Sequence, residues 1–462
     1  MDPKTFEQIA AWVGGKLHGV NHEKVTKVVT DSRLIRAGDF FVALRGERFD
    51  GHAFLPAVKE ASASGALVSE VNFQLNGFTQ IEVPETHSAL QRLARAYRNQ
   101  LRLEAIGVTG SSGKTSTKEM IASVLGERFS VHKTVGNYNN HIGLPLTVLG
   151  ASGADDFGVF EMGMNHAGEL APLCDIARPD ASVITNIGTA HIGHLETREA
   201  IAAEKAVLAE AVPAEGFVVL NANDDFTDWI AARCKGRVVR AGLNQGDVVA
   251  QNIEQCVKGS KFRLSCGTRT TQVWLPVHGE HMVINACLAA AVGLEVGLTL
   301  EECATGLAKT AIPGNRLKIQ NLGPVLVIND AYNANPDSMV AALKTATQLM
   351  VKGRRVAALG RMGELGRESE SAHRRVGRAV AEFEFDYLIT VGEEARLMAE
   401  AASSAGLKSA DRADTHEQAI EALLDYLEPG DLLLVKGSLS SAMDRVVHGL
   451  EAVFDQARWR SP

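Results

Sequence analysis

The chain has no excess of positive charge. Lys and Arg number 47 against 55 Asp and Glu, giving a formal net charge of −8. A general nucleic-acid or membrane-surface binder carries basic stripes, so no nucleic-acid partner is expected. An anionic small substrate in a local pocket stays compatible with this balance. No apolar run approaches the roughly 20 residues that span a bilayer. The first residues, MDPKTFEQIAAWVGG, lack the basic start and apolar core of a secretory signal. No membrane insertion and a cytoplasmic location are the expectation. The cysteines (Cys174, Cys234, Cys256, Cys266, Cys287 and Cys303) form no CxxC pair, which indicates neither a zinc site nor a redox dithiol. Scattered over a long chain, they read as reduced core thiols of a cytosolic protein. Fixed-period repeats and low-complexity segments are absent as well.

What is present is an ordinary globular composition, 45% hydrophobic and 22% charged. At 462 residues the chain is too long for one core, so two to four domains are expected. The first block, 1–84, mixes short β-like runs (KVVTDSR, DFFVALRG, GALVS) with a helix near HAFLPAVKEASASG. VPETHSALQRLARAYRNQL then reads as a helix capped by Thr86. In the block 85–313, EAIGVTG, DFGVFEMG, ASVITNIG and GFVVLNAND are short apolar runs with polar ends, the pattern of buried parallel strands. Helical segments such as KTSTKEMIASVLGERF, TREAIAAEKAVLAEA and MVINACLAAAVGLEVG accompany them. Pro313 and Gly314 punctuate a break at AIPGNRLK, after which 314–462 repeats the βα style with PVLVIND, RRVAALG, FDYLITVG and DLLLVKGS.

GVTGSSGKTSTKEM, residues 107–120, joins a predicted strand to a predicted helix. The common phosphate loop is G-x-x-x-x-G-K-[ST]. Gly113-Lys114-Thr115 satisfies its end, but Val108 stands where its first glycine belongs, with Gly107 and Gly110 to either side. The physical requirement survives this departure, because backbone N–H groups at a helix start still face a bound phosphate. Lys114 is placed to reach terminal phosphates and Thr115 to ligate Mg2+. Glu161, His191 and Asp330 stand at predicted strand ends, where doubly wound sheets bind ligands. Glu161 suits a cation that prefers oxygen ligands; taken singly, His191 equally reads as a packed histidine and Asp330 as a turn residue. The fold class expected is α/β with three domains: a small N-terminal α/β domain, a central doubly wound P-loop ATPase-like sheet and a C-terminal Rossmann-like domain.

Together these segments resemble the ATP-dependent Mur ligases of peptidoglycan synthesis, over nearly the whole chain. TGSSGKTS is similar to that family's phosphate loop, which implies ATP contacts from Thr109, Gly110, Ser111, Ser112, Gly113, Lys114, Thr115 and Ser116. HMVINACLAA implies Asn285 as the contact to the base, PGNR implies Arg316 as an ATP-binding arginine, and Asp330 joins them. TDSRLIRAGDFFVALRGERFDG resembles the uridine-nucleotide-binding domain and implies Ser32, Arg33, Arg45 and Gly46 as substrate contacts. GNYNNHIGLP and NDAYNANPDSM resemble the member that adds D-alanyl-D-alanine to UDP-N-acetylmuramoyl-tripeptide, implying Asn139, Asn140, Asn333 and Asn335, with Lys436 and Ser438 beyond them. The implied catalytic set is Lys114, Glu161, His191 and Lys205; the implied metal set is Thr115, Glu161, His191 and Lys205, for two Mg2+ ions. His191 and Lys205 stand 205 − 191 = 14 residues apart, as the family's metal-associated histidine and carbamylated lysine do. On spacing alone, Lys205 reads instead as a solvated helix lysine beside Glu204. A monomer is expected.

Two positions depart from the family's pattern. Arg361 stands where Asp is common in LGDMxELG, and Leu439 where Arg is common after KGS. They touch the expected third-domain substrate contacts and leave the ATP loop intact. The alternatives are a sister ligase adding lysine or diaminopimelate, and a non-catalytic nucleotide-binding homologue. AIPGN is the expected hinge for domain closure.

Overall fold

The structure is a computed structural model that describes residues 1–256 and 258–454. Three sheets follow one another along the chain. The first has five strands in the order Lys16–His18, Gln80–Glu82, Gly65–Val68, Phe40–Val42, Val28–Val29, parallel except at Lys16–His18. The KVVTDSR run gives only the two-residue strand Val28–Val29; Asp31 then caps a 3-10 turn, Ser32–Leu34.

The helix Thr86–Arg98 is capped by Glu85, not by Thr86. The Glu85 carboxylate accepts from the N–H groups of His87 and Ser88 at 2.7 and 2.6 Å. A carboxylate satisfies two free donors there and is favoured by the helix dipole. The Thr86 hydroxyl donates instead to the Ala43 carbonyl at 2.9 Å, tying the helix to the first sheet.

The central sheet has nine strands, ordered Val131–Lys133, Phe157–Glu161, Glu104–Thr109, Ala181–Ile184, Phe217–Asn221, Arg237–Leu243, Val248–Cys256, Gly259–Cys266, Arg269–Leu275. All run parallel up to Val248–Cys256; the last two pair antiparallel. Helices Lys114–Leu125, Glu280–Glu295 and Leu300–Ala308 pack on one face through Ile121, Val124, Val283, Leu288 and Leu307. Thr86–Arg98, Gly143–Gly150, Leu170–Ala177 and Arg198–Glu210 pack on the other through Leu93, Leu144, Leu173 and Leu208. Each such buried aliphatic side chain contributes about 1.5–3 kcal/mol. The hairpin strands were not anticipated. Val248–Cys256 and Gly259–Cys266 largely alternate buried with less buried residues, which is how a half-covered antiparallel sheet reads.

The third sheet has six strands, ordered Lys318–Leu322, Val325–Asp330, Leu432–Lys436, Arg355–Gly360, Tyr387–Val391, Ala410–Ala413, parallel except for the first. Asp330 pairs in register with Lys436, and Lys436 with Leu359. The carboxyl ends of three strands thus meet at one place, facing the central sheet. No helix of the described residues is long and apolar enough to cross a membrane.

Candidate active site

The phosphate loop grows from the buried strand Glu104–Thr109. Gly110 and Gly113 hold φ of 153° and 79°. A Cβ on Gly110 would lie 1.8 Å from Thr185 Oγ1, so only glycine fits. Gly113 starts the helix Lys114–Leu125 without a side-chain cap; the first-turn N–H groups, including those of Lys114, Thr115 and Ser116, are therefore free for an anion. Thr109 Oγ1 donates to the Met162 carbonyl at 2.8 Å. The chain after Ala181–Ile184 braces the loop. Ser111 N donates to Asn186 O and Ser112 N to Asn186 Oδ1, both at 3.0 Å. Thr185 Oγ1 donates to Ser112 O at 2.5 Å, and Gly188 N to Ser111 Oγ at 2.9 Å. Sequence reasoning missed Thr185 and Asn186; the polar end of the ASVITNIG run was the available signal. Lys114 Nζ folds back onto Gly110 O at 2.7 Å. Burial pushes its pKa down, with Glu161 opposing and Arg316 reinforcing the shift.

Glu161 ends the strand beside the loop strand, in register with Val108. It is 1% exposed. Asn139 Nδ2 donates to its Oε1 at 2.8 Å. Its Oε2 is buried without a hydrogen bond, 3.6 Å from Lys118 Nζ. An orphaned carboxylate oxygen at the end of the strand beside the phosphate loop fits a hard cation. Among the described residues no three His, Cys, Asp or Glu side chains form a metal cluster. Mg2+ keeps waters and takes phosphate oxygens alongside one or two carboxylates. Asn140, by contrast, is occupied locally: its Oδ1 accepts from Ile142 N and Gly143 N at 3.1 and 2.9 Å.

His191 sits in a left-handed conformation, φ 64°, at the start of the short helix Ile192–Leu195. Its Nδ1 lies 2.5 Å from Glu364 Oε2 of the third domain, close as an ion pair though not aligned as a hydrogen bond. Burial lowers its pKa most; Glu364 opposes this, while Lys114 and Lys205 add to it. Lys205 corrects the reading of a solvated lysine: it is 1% exposed within Arg198–Glu210. Among the described residues no hydrogen bond or ion pair holds its Nζ. Neighbouring Glu204 turns away, accepting from Gly168 N and Leu170 N at 2.8 Å each. Burial drives the Lys205 pKa far down, and the charge of Lys114 adds to the shift.

The third domain reaches this centre. Arg316 stacks on Tyr332, 3.7 Å from the ring centroid, and donates from Nη2 to Thr115 Oγ1 at 3.2 Å. Asp330 takes Leu317 N at 3.0 Å and Lys436 Nζ at 2.6 Å. Lys436 also donates to Asn333 O at 2.8 Å, so these two residues form a buried pair. Asn335 caps Pro336–Gln348, accepting from Ser338 N at 2.8 Å, and exposed Asn333 accepts from Ala334 N at 2.9 Å. Buried Ser438 donates its N–H to Arg361 O at 3.0 Å, and the Arg361 side chain reaches Ser440 Oγ at 2.9 Å and Glu394 at 3.2 Å. Arg361 and exposed Leu439 are therefore neighbours. Asn285 is buried against Gly113, whose Cβ would meet its amide at 2.9 Å.

In the first domain, Ser32, Arg33, Arg45 and Gly46 follow the ends of parallel strands. Arg33 is held by Asp31 at 2.6 Å, and Arg45 by Asp50 and Glu70 at 2.9 and 2.8 Å. Gly46 N closes on Phe49 O at 2.9 Å. The His87 ring bridges Arg45 O, at 2.9 Å, to the His141 ring, 6.0 Å away and next to Asn140. His87 thus links Arg45, after the strand Phe40–Val42, to the segment that carries Asn139 and Asn140.

Comparison with known proteins agrees with this arrangement. Residues 24–98 match the Mur ligase family catalytic domain, 108–293 the Mur ligase middle domain, and 315–439 the Mur ligase glutamate ligase domain. The chain is 36% identical to a UDP-N-acetylmuramoyl-tripeptide–D-alanyl-D-alanine ligase of Bacillus subtilis, covering 97% of this chain and 99% of that one. Its structure is similar to that of MurF from Acinetobacter baumannii, with a TM-score of 0.90, 33% identity, and coverage of 98% and 99%. It is similar also to a MurF ligase from Thermotoga maritima in complex with ADP, with a TM-score of 0.84, 26% identity, and coverage of 94% and 98%.

Proposed function

The chain belongs to the Mur ligase family, and on that premise we propose that it joins D-alanyl-D-alanine to UDP-N-acetylmuramoyl-tripeptide with conversion of ATP to ADP and phosphate. It is an ATP-dependent ligase. The observation that carries the reading is the contact of Arg316 on Thr115, which builds one nucleotide site from two domains. The contact of His87 with Arg45 O and with the His141 ring supports a UDP-linked substrate reaching from the first domain toward Asn139. We set the domain boundaries at 84/85 and 313/314, and take the protein to act as a cytoplasmic monomer.

A carboxylate resists attack by an amine, so it must first be activated. The peptide carboxylate takes the γ-phosphoryl group of ATP, giving an acyl phosphate and ADP. The dipeptide amine then attacks the carbonyl, and phosphate leaves from the tetrahedral adduct as the amide forms. Phosphoryl transfer depends on positioning and on positive charge near the transferred oxygens. Lys114 and Arg316 supply that charge, and the free N–H groups at the helix start orient the phosphates. Thr115 and Glu161 would hold one Mg2+, which supplies charge neutralisation between two anionic reactants. His191 and Lys205 would hold a second, Lys205 as its carbamate. The support for that modification is chemical: CO2 adds only to a neutral amine, and Lys205 is buried, unpaired and depressed in pKa.

Phosphate release is the test, measured with ATP, Mg2+ and UDP-N-acetylmuramoyl-tripeptide, with and without D-alanyl-D-alanine. Release that requires the dipeptide, with a product heavier by one dipeptide residue mass, supports the reading. Release with a free amino acid instead would move the activity to a sister ligase.

A further inference from the structure

Glu364 lies in the turn after the third-domain strand Arg355–Gly360. It is not glycine, yet its φ is 60°, a strained conformation that persists only where the surroundings enforce it. The enforcing contacts come from the central domain. Gly193 N donates to Glu364 O at 3.0 Å. Gly193 and Gly366 meet back to back: a Cβ on Gly193 would lie 2.5 Å from Gly366 N. This clamp leaves the Glu364 side chain directed at one partner, with Oε2 2.5 Å from His191 Nδ1. The His191 side chain is 16% exposed and that of Glu364 47%. An ordinary half-exposed ion pair contributes little and would not account for a strained backbone held by a glycine contact between domains.

The arrangement has a chemical consequence. A carboxylate held 2.5 Å from Nδ1, though not aligned as a hydrogen bond, favours the proton on that nitrogen by its charge and leaves the other as a lone pair. A carboxylate at that position is how ligating histidines are oriented. We propose that Glu364 is a positioning residue: delivered by the third domain, its carboxylate fixes His191 with the proton on Nδ1 and Nε2 turned to a cation, so that cation binding is tied to docking of the third domain. The proposal rests on the reading of His191 as a cation ligand.

The test is Mn2+ binding, followed by electron paramagnetic resonance in the presence of a non-hydrolysable ATP analogue, on the full-length wild type, Glu364→Ala, Glu364→Gln and His191→Ala. Histidine-selective ¹⁵N NMR of the metal-free proteins reads the tautomer of His191. Glu364→Ala is expected to weaken the His191-dependent Mn2+ by about 10- to 100-fold and to shift the His191 tautomer away from Nδ1–H. Glu364→Gln keeps the shape and a hydrogen-bond acceptor, guards against a folding defect, and is expected to lie between wild type and alanine in both readouts. Unchanged or tighter Mn2+ binding in Glu364→Ala, with weakened binding in His191→Ala, would overturn the role of Glu364 and leave the His191 reading standing. Unchanged binding in His191→Ala would remove the His191 reading and this proposal with it.

Discussion

Two buried lysines flank the central sheet from opposite faces, and their surroundings differ completely. Lys118, 0% exposed, donates to the carbonyls of Thr134 and Gly136 at 2.7 and 3.3 Å and lies 3.1 Å from Glu119 and 3.6 Å from Glu161. Lys205, 1% exposed, has neither carbonyl nor carboxylate against its Nζ among the described residues. A buried charge that is paired and hydrogen-bonded holds structure together; a buried amine left unpaired tends to lose its proton and become available for chemistry. The contrast gives Lys118 the surroundings of an architectural residue and Lys205 those that the proposed carbamate requires, although both sit on helices and neither is marked by composition.

The largest effect that would break this comparison is on stability. Lys118→Met leaves Glu119 with Lys133 but takes the cation from the buried Glu161 carboxylate, and is expected to cost up to about 3–5 kcal/mol, as loss of one partner of a buried pair does; urea denaturation measures it. Lys205→Met removes only an unpaired amine and should be neutral or stabilising in the same assay while turnover is lost. Equal losses of stability would erase the distinction.

Lys114→Ala comes next, with an expected loss of about 10²- to 10³-fold in turnover, because it removes charge where charge develops. Turnover near wild type would contradict the phosphate-loop reading. Lys205→Ala is expected to lose activity that bicarbonate or small carboxylic acids partly restore, and Lys205→Arg is expected to be inactive. Full activity in Lys205→Arg would rule out a carbamate.

In CO2-free buffer, where Lys205 stays an amine, its depressed pKa also makes stability depend on pH. The unfolded lysine titrates near 10.4, and the folded one far lower. Between the two values the unfolded chain binds the extra proton. Stability should therefore rise with pH across that window by up to about 1.4 kcal/mol per unit, and the contribution is lost as pH falls through it. Lys205→Met should show a correspondingly flatter profile.

The smallest expected effect concerns Asn335, whose side chain is engaged in a helix cap. Asn335→Ala should cost about 1 kcal/mol, and Asn335→Ser, which can still cap, should recover it. A substrate defect that persists in Asn335→Ser would show a direct contact beyond the cap.

The parallel strands and the phosphate loop were legible because buried strands are continuous apolar runs and the loop is local in sequence. Glu85 displaced Thr86 as a cap because a carboxylate reaches two N–H groups while Thr86 is drawn away to Ala43 O. The Val248–Leu275 strands alternate in burial, a weaker signal than a continuous run. The burial of Lys205 was illegible, since it depends on which helix face meets the sheet and on Glu204 being turned toward Gly168 and Leu170. The closeness of Arg361 to Leu439 and the reach of Glu364 to His191 arise from strand order and domain docking, which no local pattern encodes.

The most direct measurement of the central contrast is ¹³C NMR of the protein equilibrated with ¹³C-bicarbonate. The account predicts a carbamate carbon in wild type and in Lys118→Met that is missing from Lys205→Arg. A spectrum with no carbamate in wild type, or with the same carbamate in Lys205→Arg, would contradict the assignment of the unpaired lysine to chemistry.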